Sequence, residues 1–293
     1  MASRESPDNE SEDESRPRCI LDGNRKFTIL NTAHGLKNGG IISINSLFRL
    51  VPNEEDVARA KTAMGDGKDG VWTGTIFQAS GSPTSIFDSR NINTMDENKV
   101  LRRFMIRRRH VPHVSTLKTT LLYTDGACRP HSPTDSTLRG GCSFVFNTFA
   151  EVPFFAMETK GYDGQPHPHT NDRAKLRAVV AALEYQAWWS EGWERIVIAT
   201  DSEYVSKGAT QELRTWAVRK WRTAKGREVA NQDLWKLLSF TMKTYAEKGC
   251  ELSFWKIPKE MNTVAAAAAT LAATKGGGSD EYEEYTLDID YLR

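Results

Sequence analysis

Two aspartates, Asp125 in "YTDGAC" and Asp201 in "IATDSEYV", each follow an apolar run that reads as a buried strand, and each precedes a turn or helix signal. In an open α/β sheet the carboxyl ends of the strands are where ligands bind. Two carboxylates brought together there make a hard-oxygen donor set of the kind that holds Mg²⁺ beside substrate phosphates. Either aspartate alone would serve equally well as a turn or capping residue, so it is the pair that carries the chemistry. A second group is cationic: Arg214, Arg219, Lys220, Arg222, Lys225 and Arg227 interleave with Trp216 and Trp221. Lysine and arginine neutralise phosphates, and aromatic rings stack or support the basic side chains. For the two tryptophans a stacking surface and a helix-packing core are both open readings; Trp188, Trp189, Trp193 and Trp235 read as core.

The elements that would position these residues follow from periodicity. "LKTTLLYT" is a strand ending at Asp125, "DGACRPHSP" a turn, and "GGCSFVFNTF" and "VPFFAMET" two further strands of an antiparallel meander. A helix is expected over residues 170–189, capped by Thr170 or Asn171, with Leu176, Val179, Val180 and Leu183 as its apolar stripe. "RIVIAT" reads as a central strand, "NQDLWKLLSFTMKTYAEKG" as a helix, "CELSFWKI" as a strand and "NTVAAAAATLAAT" as an alanine-rich helix. Strands followed by alternating βαβ units point to one mixed α/β sheet flanked by helices.

The rest of the chain is read as appendage. Its 293 residues, net charge of +1 and 39% hydrophobic content suit a globular domain with extensions. Residues 1–18 are polar and acidic and are expected to be disordered. Residues 19–115 give no motif; within them lie a strand-like "GGIISINSLFRLV", a short helix near "EEDVARAKTAM" and a strand in "GVWTGTIFQ". Near 101–110 a basic linker carries Arg102, Arg103, Arg107, Arg108 and Arg109, placed either along phosphates or in solvent. Residues 116–275 form the α/β domain, and 276–293 a flexible acidic tail whose tyrosines and leucines could instead dock a protein partner. No apolar run reaches the roughly 18 residues of a membrane span, and the N-terminus has neither the apolar core of a secretory signal nor an arginine-rich transit composition. Cytoplasm or nucleus is therefore the expected setting. Cys19, Cys128, Cys142 and Cys250 show no CxxC pairing, so neither a disulfide framework nor a zinc site is expected.

Taken together, "YTDGAC", "TNDRAKLRAVVAALE" and "IATDSEYVSKGATQELRTWAVRKWRTAKGREVANQDLW" resemble the type 1 ribonuclease H family over roughly residues 117–275. The whole chain also resembles fungal members with an N-terminal extension. The resemblance implies the RNase H-like fold, a mixed five-stranded sheet with three antiparallel strands followed by two parallel ones. It also implies hydrolysis of the RNA strand of an RNA/DNA hybrid by two Mg²⁺ (or Mn²⁺) ions held by four carboxylates. Carried over by position, the first and third carboxylates fall on Asp125 and Asp201. The second falls on Lys175 and the fourth on Ala266, so two of the four are replaced.

With two aspartates and one lysine the site's formal charge changes from about −4 to about −1. An ammonium near two carboxylates stands where a metal would bind, and loss of the Ala266 position removes a further ligand. Removing one member of such a unit can already cost most of the rate. Glu203 stands where Gln is familiar, Asp172 where a polar amide is common, and no histidine follows His169. By resemblance the basic cluster lies in a protruding region that grips the DNA strand, and Cys128 and Asn171 touch a hybrid's minor groove. The expected function is binding of RNA/DNA hybrid or double-stranded RNA with cleavage weakened or lost. Two alternatives stand beside it: an active ribonuclease H in which Asp172, Glu184 or Glu260 substitutes for a lost ligand, and a protein-interaction scaffold.

Overall fold

A computed structural model describes residues 18–21, 27–30, 52–65, 70–92, 101–106, 117–130, 137–147, 152–275 and 277–285. By packing, the chain divides into Met1–Ser43 and Ile44–Arg293. In the first unit Arg18–Leu21 (β1) pairs antiparallel with Phe27–Leu30 (β2). The strand expected in "GGIISINSLFRLV", the linker residues Arg107, Arg108 and Arg109, and the acidic residues before Arg18 lie outside the described residues.

In the second unit Glu54–Met64 (α1), Thr75–Ile76 (β3), Pro83–Ile86 (α2), Phe87–Ile92 (β4) and Leu101–Ile106 (β5) precede the expected core strands. Those strands are Thr119–Pro130 (β6), Leu138–Val145 (β7), Phe154–Ala156 (β8), Arg195–Thr200 (β9) and Glu251–Lys256 (β10). β6, β7 and β8 pair antiparallel, and β9 and β10 run parallel to β6, which is the expected mixed five-stranded arrangement. Three further strands make a sheet of eight. β3 adds parallel to β10, and the β4–β5 hairpin joins the first half of β6 through Phe104↔Leu121 and Met105↔Thr120.

Residues 54–106 thus help to build this unit's sheet and cover it, and the reason is apolar area. Leu121, Val197, Ala199 and Trp255 present one face of β6, β9 and β10, and Phe77, Ile86 and Phe87 close over it. The other face is covered by α1, by Asn171–Glu184 (α3) and by Gln232–Glu247 (α6). Arg103, expected in a basic linker, is buried on β5: it pairs with Glu191 at 2.6 Å and lies over the rings of Phe146 and Trp188. Buried in that way, its charge supports packing and is unavailable to a phosphate.

Three more expectations are corrected. β6 does not end at Asp125 but runs on to Pro130, because β7 takes over the pairing from Tyr123↔Val145 to Pro130↔Leu138. The long helix stops at Glu184; a 3₁₀ turn at Trp188–Glu191 follows, and the Trp188 indole donates back to the Ala182 carbonyl. The acidic tail is packed where it is described. Tyr285 stacks on Phe155 at 4.5 Å between ring centroids, and the Tyr282 hydroxyl donates to Glu184 at 2.6 Å. Arg177, buried between Glu158 and Glu184, donates to the Glu283 carbonyl. The tyrosines that suggested a docking peptide are spent on the chain's own body.

Two glycines set how closely helices approach the sheet. Paired residues on antiparallel strands share a face and successive residues alternate, so Gly126 and its partner Cys142 face α3, while Ala127 and Gly141 face Thr263–Lys275 (α7). A Cβ on Gly126 would meet the Ala174 carbonyl carbon at 2.1 Å and the Lys175 amide at 2.2 Å. A Cβ on Gly141 would meet the Ala273 amide at 2.2 Å, and the buried alanines 265, 269, 272 and 273 keep α7 flat against that strand. Because the atoms opposite Gly126 are backbone, Gly126→Ala should cost about 3 kcal/mol or more by overpacking. A urea unfolding midpoint within experimental error of wild type would contradict this account of how α3 is seated.

Candidate active site

The parallel register Tyr123↔Ala199 carries Asp125 and Asp201 two residues further to the same level of the sheet. There β9 ends at Thr200 while β6 runs on, paired with β7 along its other edge, leaving a crevice beyond the end of β9 of the sort that binds ligands. Asp201 follows β9 directly, and Ser202 after it caps Glu203–Lys207 (α4), its hydroxyl accepting from the Val205 amide at 3.2 Å.

α3 supplies the third member. Thr170, not Asn171, is its N-cap: its hydroxyl accepts from the Arg173 amide at 3.1 Å. Asn171 instead fastens the helix start to β6, its Oδ1 accepting from the Cys128 amide at 2.8 Å. Fixed at both points, α3 delivers Lys175 between the aspartates. Its Nζ lies 2.7 Å from Asp125 Oδ1 and 2.5 Å from Asp201 Oδ1. The side chains of Lys175, Asp125 and Asp201 are 19%, 6% and 7% exposed. Burial alone would pull the ammonium toward neutrality, but the hydrogen bonds and charges of the two aspartates outweigh it and hold the Lys175 pKa above the ordinary lysine range. Burial pushes the Asp125 carboxyl above the ordinary carboxylate range, with Lys175 opposing it.

α7 brings the fourth position. The Asn262 amide donates to the Thr124 carbonyl at 3.0 Å, and the hydroxyl of Ser143, the register partner of Asp125, donates to the Ala265 carbonyl at 2.6 Å. These bonds pin the helix start beside Asp125, with Ala266 in its first turn. The four expected positions therefore converge, and the donor set they offer is two carboxylates already shared by an ammonium, with a methyl group at the fourth place. Such a set does not fit Mg²⁺ or Mn²⁺, because an ammonium is a donor only and each aspartate has already given it an oxygen.

The proposed substitutes differ in placement. Glu184 sits about 13 Å along α3 from Lys175 and is engaged by Arg177, Tyr282 and the Tyr285 amide. Asp172 and Glu260 are exposed, and Glu203 pairs with Lys207. Among the described residues one other group could surround a cation: Asp163, His167 and Asp233. Asp233 there is already held bidentately by Arg173, at 2.9 and 2.7 Å, so it too carries its own counter-charge.

The basic cluster forms an exposed arm. Arg219, Lys220, Arg222, Lys225 and Arg227 are exposed, and no ion pair among the described residues involves them; Arg214 is exposed as well. Lys220 and Trp221 hold left-handed backbone angles, φ +53° and +61°, a strain of the kind found at functional loops. Trp216 packs edge-on against the buried Trp235 at 5.3 Å, the core reading for that residue. Trp221 is half-buried under the Lys236 ammonium, 5.2 Å from its ring. Cys128 is mostly buried, and burial pushes its thiol up to about 11. One feature was not singled out in the sequence: a groove of about 390 Å³ at the start of α3, lined by His167, Thr170, Asp172, Tyr204 and Asn231. Asn231, in a left-handed conformation at φ +57°, donates to the Tyr204 hydroxyl; its only signal was a place in "NQDLW".

Since the folded-state pKa of Lys175 is raised, the stabilisation from its ion pairs is complete below the unfolded lysine value of about 10.4 and disappears as pH rises through the higher folded value. Lys175→Met, which leaves two buried carboxylates face to face, should lose about 3 kcal/mol at neutral pH. The gap between wild type and variant should narrow above pH of about 10.4. Equal urea stabilities at pH 7 would show that the ion pairs are not made.

Part of the chain is similar to known proteins. The family model for RNase H matches residues 117–254, a stretch that contains Asp125, Lys175 and Asp201 and ends before Ala266. Ribonuclease H of Treponema pallidum subsp. pallidum is 39% identical over 125 residues, covering 40% of this chain and 69% of that protein. Ribonuclease H of Cyanothece sp. (strain PCC 7425 / ATCC 29141) is 37% identical over 117 residues, 40% of this chain and 66% of that protein. Among solved structures, the solution structure of the PFV RNase H domain aligns with a TM-score of 0.38 at 20% identity, over 52% of this chain and 93% of that one. With the strand order, the convergent site positions and relatives above a third identical in agreement, the chain belongs to the ribonuclease H family.

Proposed function

We propose that this chain binds RNA/DNA hybrid or double-stranded RNA through its ribonuclease H-like domain, with cleavage weak or absent. The observation that carries this reading is the Lys175 ammonium, bonded to both Asp125 and Asp201. In-line hydrolysis in this family depends on metal ions that activate water and offset charge on the leaving oxygen. Here one oxygen of each aspartate is committed to a fixed organic cation, and Ala266 offers no ligand. The exposed and acid-free cations of the arm support retention of nucleic-acid binding. They also argue against a scaffold that never meets a polyanion, as does the tail's use in packing. The active-enzyme alternative would have to recruit Asp172 or Glu260, since Glu184 is held elsewhere.

Two finer placements belong to the same reading. The family match begins at residue 117, which supports a region N-terminal to the ribonuclease H-like part, as in the fungal members that the sequence resembles. The described cysteines, Cys128, Cys142 and Cys250, are free and buried, in keeping with a reducing cytoplasmic or nuclear setting. No helix among the described residues is long and apolar enough to cross a membrane.

With Mg²⁺ or Mn²⁺, wild type should cut a labelled RNA/DNA hybrid no faster than Asp125→Asn; robust cutting that depends on Asp125 would sink the reading. If ligation alone was lost, Lys175→Glu combined with Ala266→Asp should produce measurable cutting. For the arm, neutralising Lys220, Lys225 and Arg227 together should lower the slope of log K against log salt by about 2–3. A slope equal to wild type would remove the arm from the interface.

A further inference from the structure

We infer that Lys175 serves as a built-in counter-cation, so that the domain engages its nucleic acid without any divalent ion. The inference rests on the nucleic-acid-binding reading above and concerns how the same site meets a phosphate. A crevice of several carboxylates repels the strand it must receive, and mobile divalent ions ordinarily have to lower that field before a phosphate can approach. In this chain the correction is covalent. Two aspartates and one lysine leave a formal charge of about −1, and Ala266 adds none. The ammonium is held in place by 2.7 and 2.5 Å contacts to the two aspartates and stays 19% exposed. An ammonium carries three protons; one is donated to Asp201 Oδ1, Asp125 Oδ1 lies 2.7 Å away as an ion-pair partner, and no other acceptor is met among the described residues. A donor of positive charge at the mouth of the crevice, with one N–H to spare, suits a phosphate oxygen of the bound strand. The misfit between these residues and a divalent metal then has a positive consequence: chelators leave binding intact.

The test is fluorescence anisotropy of a labelled RNA/DNA hybrid on the full chain, at fixed ionic strength, in EDTA and in Mg²⁺. Wild type is expected to bind with the same Kd in both buffers, within about twofold. Lys175→Glu, which makes the crevice more negative by two charges, should weaken binding in EDTA by about tenfold or more, and Mg²⁺ should recover most of the loss. If that variant is poorly folded, the neutral triple Asp125→Asn, Lys175→Met, Asp201→Asn takes its place. With no charge left to offset, it should bind with the same Kd in EDTA and in Mg²⁺. Calorimetric titration of wild type with Mn²⁺ should show no saturable site. The inference is overturned if wild type weakens in EDTA as the Lys175→Glu variant does, if Lys175→Glu binds in EDTA just as wild type does, if the neutral triple gains affinity from Mg²⁺ at fixed ionic strength, or if Mn²⁺ saturates a site in wild type. Absence of hybrid binding by wild type in both buffers overturns the nucleic-acid reading itself, and this inference with it.

Discussion

Two carboxylates brought to the same level of a sheet, each nearly removed from water, cannot both stay charged without positive charge between them. In this protein that charge is the ammonium of Lys175, and much of the surrounding structure is arranged to bring it there. The parallel pairing of β6 with β9 sets the two aspartates level. Gly126 lets the α3 backbone come within reach of β6, and Asn171 fastens the helix start to the same strand two residues further on. The ion pairs then close a loop of constraints between two strands and a helix that are distant in sequence.

The same close approach recurs on the opposite face, where Gly141 and a row of alanines let α7 lie against β7, and the bonds from Asn262 to Thr124 and from Ser143 to Ala265 fasten its start to β6 and β7. The contacts that seat α3 and α7 hold two aspartates and a lysine together, with an alanine in the first turn of α7. Burial makes the lysine consequential. In water a lysine beside two aspartates would contribute little; at this depth it takes one oxygen of each aspartate, and it is costly to remove.

The ends of the domain show a similar economy of charge. Arg103, Arg177 and Arg173 are each buried against glutamate or aspartate, so their positive charge is internal, whereas Arg219, Lys220, Arg222, Lys225 and Arg227, in the arm after α5 (Leu213–Val218), are exposed. The tail extends the principle: Tyr282 and Tyr285 close the aromatic and ionic cluster around Arg177 and Glu184. The surface the domain presents to a polyanion is therefore set as much by which arginines are buried as by how many there are.

Local pattern sufficed for the core elements. The apolar runs of β6, β9 and β10 announced strands, "TNDRAKLR" announced a capped helix, and the alanines of α7 announced a helix made to pack closely. Those signals are short-range, since a strand or a cap is written in consecutive residues. The resemblance in motif order pointed to Asp125, Lys175, Asp201 and Ala266, and the structure brings the first three within ion-pair distance. What the sequence could not express is the set of contacts between residues far apart along the chain. Lys175 meets Asp125 and Asp201 only because two strands, a helix and a glycine agree in space. Residues 54–106 join this sheet because its apolar face must be covered, and Tyr285 is anchored because Phe155 and Glu184 are waiting for it. Composition could mark that lysine as a charge; tertiary structure alone made it the counter-ion of two buried carboxylates.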